Sequence, residues 1–219
     1  MFILLRQRVS TMFRVLSSKG TSGLIELIRA FLVYQVYEKW RFVYFEKCIE
    51  KVPFKLPKLE DSIIIREAVE DDIPQIKNDI YPFLTEKEGN DKRYIEKIGT
   101  TQVKCFLAER QSKIVHYSLL FENAINSPIM QTPIIKSKIN SSDAYLGTVF
   151  TIPEARGLRI MPHTVLRIFS HLYKNTSTKR ILVIVHKSTF GAEGFYRRNG
   201  FNVMNNVEAR NYLHNFRNK

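Results

Sequence analysis

The sequence predicts a mixed α/β (α+β) domain over residues 61–219, preceded by a basic, aromatic-rich helical extension and linker over residues 1–60. Three observations predict it. From Ser62 onward short β-branched runs alternate with helical segments, and strands mixed with helices after a hairpin indicate this class. Hydrophobic residues at 44% and charged residues at 25% are ordinary for a globular chain of 219 residues, which excludes wholesale disorder. The formal charge of +13 is uneven: residues 1–58 carry eleven basic and four acidic side chains, a net +7 in the first quarter.

Phe2–Leu16 and Gly23–Glu50 read as helices, because they lack proline and repeat apolar residues at steps of three and four. Ser17–Ser22 separates them, with Gly20 placed as a C-cap and Ser22 as an N-cap. The second helix carries Phe31, Tyr34, Tyr37, Trp40, Phe42, Tyr44 and Phe45. Trp and Tyr beside Lys and Arg suit a membrane headgroup boundary, where a helix lies flat. The same stripe equally suits packing on the main domain or on a second copy. No uncharged stretch reaches the roughly 20 residues of a spanning helix. Met1–Leu5 followed by Arg6 and Arg8 has the wrong order for a signal peptide. The expected location is cytoplasmic. The arm, residues 1–50, is expected to meet either an anionic surface at the inner membrane face or a homodimer partner. Pro53 and Pro57 mark a linker over Lys51–Glu60.

The remaining elements follow in order. Ile63–Arg66 is a short strand, and Glu70, Asp71 and Asp72 open a helix running to about Asp79, with acids where the helix dipole favours them. Asp91–Ile98 reads as helix. Val103–Glu109 and Ile114–Phe121 are strands joined by Arg110–Lys113, a hairpin-length connection. Asn123–Asp143 has no clear period, although Ile129-Met130 and Ile134-Ile135 suit a small hairpin. A connection of that length inside a compact domain is more often functional than idle. Tyr145–Ile152 is strand, Pro162–Lys174 helix, Arg180–Val185 strand, Phe190–Asn199 helix and Phe201–Val207 strand.

Several function classes drop out. Nine glycines and eight prolines without period exclude a collagen-like or low-complexity chain. Cys48 and Cys105 make no disulfide framework and lack zinc spacing, so a reducing compartment and no metal are expected. No zinc-finger spacing or RNA-recognition aromatic motif accompanies the positive charge, so no nucleic acid partner is expected.

The stretch that carries chemistry is Tyr145–Pro162, in which a buried strand runs through a tight turn directly into a helix. Main-chain N–H groups of the turn and of the first helical turn would converge there, forming an anion site suited to phosphate or pyrophosphate. Gly157 lets a ligand come close, Arg156 and Arg159 add charge, and Pro162 suits a first helical turn. A second segment, Val185–Phe201, repeats strand, turn and helix, then stops on Gly200 before a new strand.

Together these segments resemble the GCN5-related N-acetyltransferase family, which uses acetyl-CoA or another acyl-CoA. Pro153, Glu154, Arg156 and Gly157 match the family's Pro-Glu-x-Arg-Gly-x-Gly-x-Gly/Ala loop. Val185, Ala192, Tyr196, Gly200 and Phe201 match its downstream pattern at the right spacings, and Ile65–Ile73 looks like its usual first strand and helix. The resemblance covers Ser62 to about Val207. Arg159 and Met161 replace the second and third glycine-type positions of the loop, and Thr189 replaces the usual Asn.

The resemblance implies a central twisted, mostly antiparallel sheet flanked by helices. It also implies acyl transfer from CoA to a primary amine, with no metal. Phe150, Thr151, Ile152, Arg156, Gly157, Leu158, Arg159, Ile160, Met161, Thr189, Ala192 and Tyr196 are the expected coenzyme contacts. A main-chain N–H near Thr151 would polarise the thioester carbonyl, and Tyr196 would protonate the departing sulfur. The base is open, because Ala144–Ile152 contains no carboxylate. His116 and Glu122 are the expected candidates, with Glu109 and Asp143 behind them and proton loss through water as the alternative. His163 and His171 are expected to pack or face solvent. The basic arm points to an amino sugar as the small-molecule acceptor. The competing expectation is an inactive interaction protein of the same fold that docks through its N-terminal helices.

Overall fold

The computed structural model describes residues 38–51, 54–56, 58–84, 92–100, 103–131, 133–186 and 191–211. The expected helix Phe2–Leu16, its caps and the first half of the second helix lie outside them. The described elements are β1 (Glu38–Cys48), β2 (Ile63–Glu67), α1 (Ile73–Asp79), α2 (Lys92–Ile95), β3 (Lys104–Arg110), β4 (Lys113–Phe121), α3 (Pro133–Lys136), β5 (Asp143–Thr151), α4 (Ile160–Asn175), β6 (Arg180–His186), α5 (Ala192–Arg198) and β7 (Asn202–Asn211). The strands form one sheet in the order β2-β3-β4-β5-β6-β1-β7. Pairing is antiparallel from β2 through β5, and parallel between β5 and β6. Residues Val43–Asn206 make one compact unit; Met1–Phe42 with Val207–Lys219 make another.

Two expectations are corrected. Glu38–Cys48 is a strand, where the sequence pattern predicts the end of a helix. Val43 and Phe45 sit in the same fully buried cluster and Tyr44 between them is also buried, so over Val43–Phe45 both faces of the strand are covered. A strand buried on both faces reads as a continuous apolar run, which hides the period of two. The small hairpin expected around Ile129 and Ile134 is instead a 3₁₀ turn at Pro128–Gln131 followed by the single helical turn α3. Pro128 and Pro133 each open one of these turns, since proline has the φ of a first helical turn and no N–H for a ladder. The β3–β4 hairpin forms as expected. Its turn places Gln111 and Ser112 both at positive φ (51° and 62°), the signature of a two-residue primed turn.

The sheet is covered on both faces. On one side α4 lays down Val165, Ile168, Phe169 and Leu172 against Phe106, Leu120, Leu146, Ile181 and Val183. Their spacing of three and four residues gives α4 one apolar face. On the other side Ile76 and Ile80 from the α1 region and Ile95 of α2 cover Cys105, Leu107, Tyr117, Leu119 and Phe121. Each fully buried aliphatic side chain contributes about 1.5–3 kcal/mol by leaving water. No described helix is long and apolar enough to cross a membrane.

Two arginines tie the strands at their ends. Arg66 of β2 holds Asp72 through two bonds of 2.7 and 2.6 Å and also engages Glu109 of β3. Arg180, the first residue of β6, donates from Nε and Nη2 to the two Asp143 carboxylate oxygens at 2.8 Å each. Arg180 also reaches Glu46 of β1 at 2.5 Å and the Lys138 carbonyl at 2.5 Å. Asp143 is buried and begins β5, directly opposite Arg180 in the parallel ladder. Substituting Arg180→Ala strands that carboxylate. Urea unfolding of the variant is expected to show a loss of about 3–5 kcal/mol, the range for removing one partner of a buried ion pair.

Candidate functional site

The parallel ladder between β5 and β6 is short. It pairs Asp143, Ala144, Tyr145 and Leu146 with Arg180, Ile181, Leu182 and Val183, and stops there. Beyond it β5 continues as Gly147–Thr151, held by β4 through Ser118↔Val149, Tyr117↔Phe150 and His116↔Thr151. β6 continues to His186 outside that ladder. The two strands are thus joined at one end and open at the other, and the open end of β5 feeds the turn that leads into α4.

That turn has a defined set of engaged and unengaged amides. Ala155 donates to the Ile152 carbonyl at 3.1 Å, Arg156 to Pro153 at 3.2 Å and Leu158 to Ala155 at 3.5 Å. Among the described residues, the amides of Gly157, Arg159, Ile160 and Met161 have no such partner. The last two open α4, where no preceding turn supplies acceptors. Gly157 has φ +87° and Arg159 has φ 61°, ψ 21°, so both are left-handed. Ile160 is buried and Leu158 half-buried, and both pack around Ala155 and Val115. Met161 packs partly against the α4 face of the core. The side chains that replace small residues at this loop therefore leave the amides unspent, although Arg159 holds a conformation costly for a residue with a Cβ.

Charge flanks these amides. Arg156 Nε donates to the Thr151 carbonyl at 3.1 Å, and its guanidinium lies 5.9 Å from the Phe150 ring centroid. The Ile152 amide is used by the Val115 carbonyl at 3.0 Å, which fixes the start of the turn to β4. His116 stands beneath it, fully buried, with Nδ1 2.7 Å from Thr151 Oγ1 and Nε2 2.8 Å from Ser118 Oγ. Burial without a counter-charge pushes the imidazole pKa down to about 3, so His116 is neutral at any physiological pH. A histidine closed off in this way positions Thr151, and through it the turn; its ring nitrogens are already committed. Ser118 was absent from the expected set, though its i+2 spacing from His116 on a strand places both on one face.

The other candidates lie away from the turn or deep in the core. Tyr196 of α5 is buried and packed by Phe45, Phe195 and Phe201 at ring-centroid distances of 5.6, 5.2 and 4.9 Å. Burial, with a smaller effect from Tyr145, raises its phenol pKa above the usual range, so it stays protonated. Ala192 opens α5 and packs partly on the same cluster. Thr189 lies outside the described residues. Glu122 follows the Phe121↔Tyr145 pair at the opposite end of β5 from Thr151, about 20 Å away at roughly 3.3 Å per residue. It bonds His171 Nε2 at 2.5 Å. The structure therefore does not bring Glu122 to the turn, because β4 runs antiparallel to β5. Glu109 and Asp143 are held by Arg66 and Arg180. Among the described residues no group of three His, Cys, Asp or Glu side chains is arranged to hold a metal ion.

Solved structures share this fold. A GCN5-related N-acetyltransferase from Sphaerobacter thermophilus superposes with a TM-score of 0.52 at 17% identity, over 89% of this chain and 59% of that one. The fold is that of the GCN5-related N-acetyltransferases. A GNAT-family protein from Novosphingobium aromaticivorans matches with a TM-score of 0.50 at 13% identity, over 80% of this chain and 65% of its own. A Drosophila protein matches at 0.56 and 13% identity, over 85% and 56%. The chain thus spans roughly three-fifths of the length of these solved chains. No protein-family model and no curated protein sequence matches it. Within the GNAT fold the joined-then-open pair β5 and β6, and the turn after β5, are the features that the motif residues occupy.

Two substitutions test the turn and one tests the histidine. Gly157→Ala meets no atom within 4 Å, so its cost is conformational, about 1 kcal/mol for a left-handed residue with a Cβ. Arg159→Gly removes a similar strain, and thermal unfolding is expected to show a gain of up to about 1 kcal/mol. For His116 the folded pKa is depressed relative to about 6.5 in the unfolded chain, so the unfolded state binds the extra proton between those values. Stability is therefore complete above about pH 6.5 and falls towards pH 3, by up to about 1.4 kcal/mol per unit. Urea titrations across this window are expected to show that His116→Gln loses this part of the acid sensitivity.

Proposed function

We propose that the chain is an acyl-CoA-dependent N-acyltransferase, moving an acetyl or other acyl group to a primary amine. The observation that carries the reading is the set of unengaged amides at Gly157, Arg159, Ile160 and Met161, at the head of α4 beside an open strand pair. Unpaired N–H groups at a helix start, flanked by Arg156, form a fitting receptor for a diphosphate. The turn residues Phe150–Ile152 and Arg156–Met161 would hold the coenzyme, with Ala192 and Tyr196 across the opening.

A thioester supplies an activated acyl group whose carbonyl becomes an oxyanion when the neutral amine attacks. The chain's part is to orient the reactants and to stabilise the charge that develops on oxygen and sulfur. A main-chain N–H near Thr151 stabilises the oxyanion, worth a few kcal/mol in a water-poor site. As the tetrahedral species collapses, the carbon–sulfur bond breaks, the amide forms and the thiolate leaves. Tyr196, kept protonated by burial, donates a hydrogen bond to that sulfur. With its pKa raised, it stabilises developing thiolate charge better than it hands over a proton outright. The amine proton passes to water, a route supported by the engagement of the four side-chain candidates elsewhere: His116 with Thr151 and Ser118, Glu122 with His171, Glu109 with Arg66, Asp143 with Arg180. An amino sugar is the acceptor class we favour, motivated by the basic arm and its fit to a surface where such molecules are assembled.

The strained Arg159 in place of a glycine favours one second reading, in which the fold binds acyl-CoA or a partner without turnover. Calorimetry with acetyl-CoA followed by thiol-release assays across amines, including glucosamine, separates the two. Binding with turnover on at least one amine is expected; binding with none would favour the second reading. Tyr196→Phe is expected to lower kcat by about 10²-fold with KM for acetyl-CoA little changed, the range for a group acting on the leaving atom.

A further inference from the structure

A cavity of about 560 Å³ lies at the joined end of the β5–β6 pair, away from the turn before α4. Glu122, Asn126, Ser142, Asn175, Ser177 and Thr178 are among its lining residues. They come from three chain segments: the exit of β4, the residues before β5, and the exit of α4. The paired residues Asp143–Leu146 and Arg180–Val183 stand between it and the open end of the strands. The 16 residues of α4 separate Asn175 from the unengaged amides by about 22 Å, at 1.5 Å per residue.

The lining is chemically uniform. Every side chain is an amide or a hydroxyl, except for the single carboxylate of Glu122. No lysine or arginine is among them, so a phosphate, a nucleotide or the coenzyme itself finds no counter-charge. No aliphatic wall is present to hold a lipid. Glu122 commits Oε1 to His171, and its second oxygen makes no hydrogen bond among the described residues. The side chains of Asn126, Ser142, Ser177 and Thr178 likewise make no hydrogen bond among the described residues.

The walls are nonetheless fixed. Asn123 Oδ1 accepts from the Ile125 amide at 3.0 Å, which sets the bend after β4. Thr176 Oγ1 donates to the Leu172 carbonyl at 2.7 Å and accepts from the Thr178 amide at 3.2 Å, which caps α4. The Lys179 amide donates to the Ser142 carbonyl at 2.9 Å, so the two walls are stitched together. Arg180 holds Asp143 and the Lys138 carbonyl directly below. Neutral donors and acceptors on a rigid frame match a ligand that offers many hydroxyls and no net charge. A carboxylate oxygen among them accepts from two adjacent hydroxyls at once. A pre-set site also spares the ordering cost of binding.

We infer that this cavity is a binding site for a neutral saccharide, separate from the acyl-transfer end of the sheet. Its volume falls in the range of small-molecule sites and suits one or two sugar rings. The test uses the full chain and saturation-transfer NMR with cellobiose, maltose and N,N′-diacetylchitobiose, backed by calorimetry. At least one is expected to bind with a Kd of about 1–10 mM, ordinary for a few net hydrogen bonds. Asn126→Ala combined with Thr178→Val is expected to weaken it roughly five- to tenfold, as for one or two lost hydrogen bonds. Acetyl-CoA binding by the same variant is expected to be unchanged, which also reports that it is folded. No binding of any of the three at about 50 mM, well beyond that range, overturns the inference. So does binding indifferent to the double substitution, or tighter binding of glucose 6-phosphate than of glucose.

Discussion

The pairing of Arg180 with Asp143 governs this molecule, because it decides where the parallel strands are closed and therefore where they open. Both residues begin their strands and face one another across the ladder. The same guanidinium reaches Glu46, so β1 is drawn to the same point. A parallel pair needs a crossover, and here α4 supplies it by running back along the sheet from the open end to the closed one. Polar groups then separate by position. Unspent amides and arginine gather where the strands part, while hydroxyls and amides gather where they are clamped.

Much of the fold was legible in the residues after Ser62. Ile63–Glu67, the β3–β4 hairpin, β5, α4 and β6 all stand within a few residues of their expected places. Each carries an unambiguous local signal: β-branched runs, a hairpin-length connection, or an apolar face at helical spacing. The run from Trp40 to Phe45 was not legible in the same way. Burial on both faces erases alternation, and a proline-free segment rich in aromatics then satisfies a helical template as well as an extended one. Its neighbours in the sheet, β6 and β7, lie far away in sequence, so no local signal announces them.

The site shows a similar division. The turn after β5 was visible because glycine and proline at fixed offsets between a strand and a helix constrain the backbone. The state of His116 was not visible, since a lone histidine on a strand gives no hint of whether its nitrogens are free. Only the fold reveals that Ser118 and Thr151 close on it from two strands. The carboxylates share this lesson. Glu109, Asp143 and Glu122 are chemically suited to proton transfer, yet each already holds a cation or an imidazole, and sequence spacing says nothing of partners brought from elsewhere.

The place of β1 in the sheet bears on how the polypeptide is made. It lies between β6 and β7, both encoded more than a hundred residues later than its last residue, Cys48. During synthesis this strand emerges well before β6 and β7, and those two edges are not there to join until they too have left the ribosome. Pairings of such long sequence separation close slowly. The nascent protein must keep a sticky segment out of trouble throughout translation, and the basic stretch that precedes it puts like charges beside that segment during the wait.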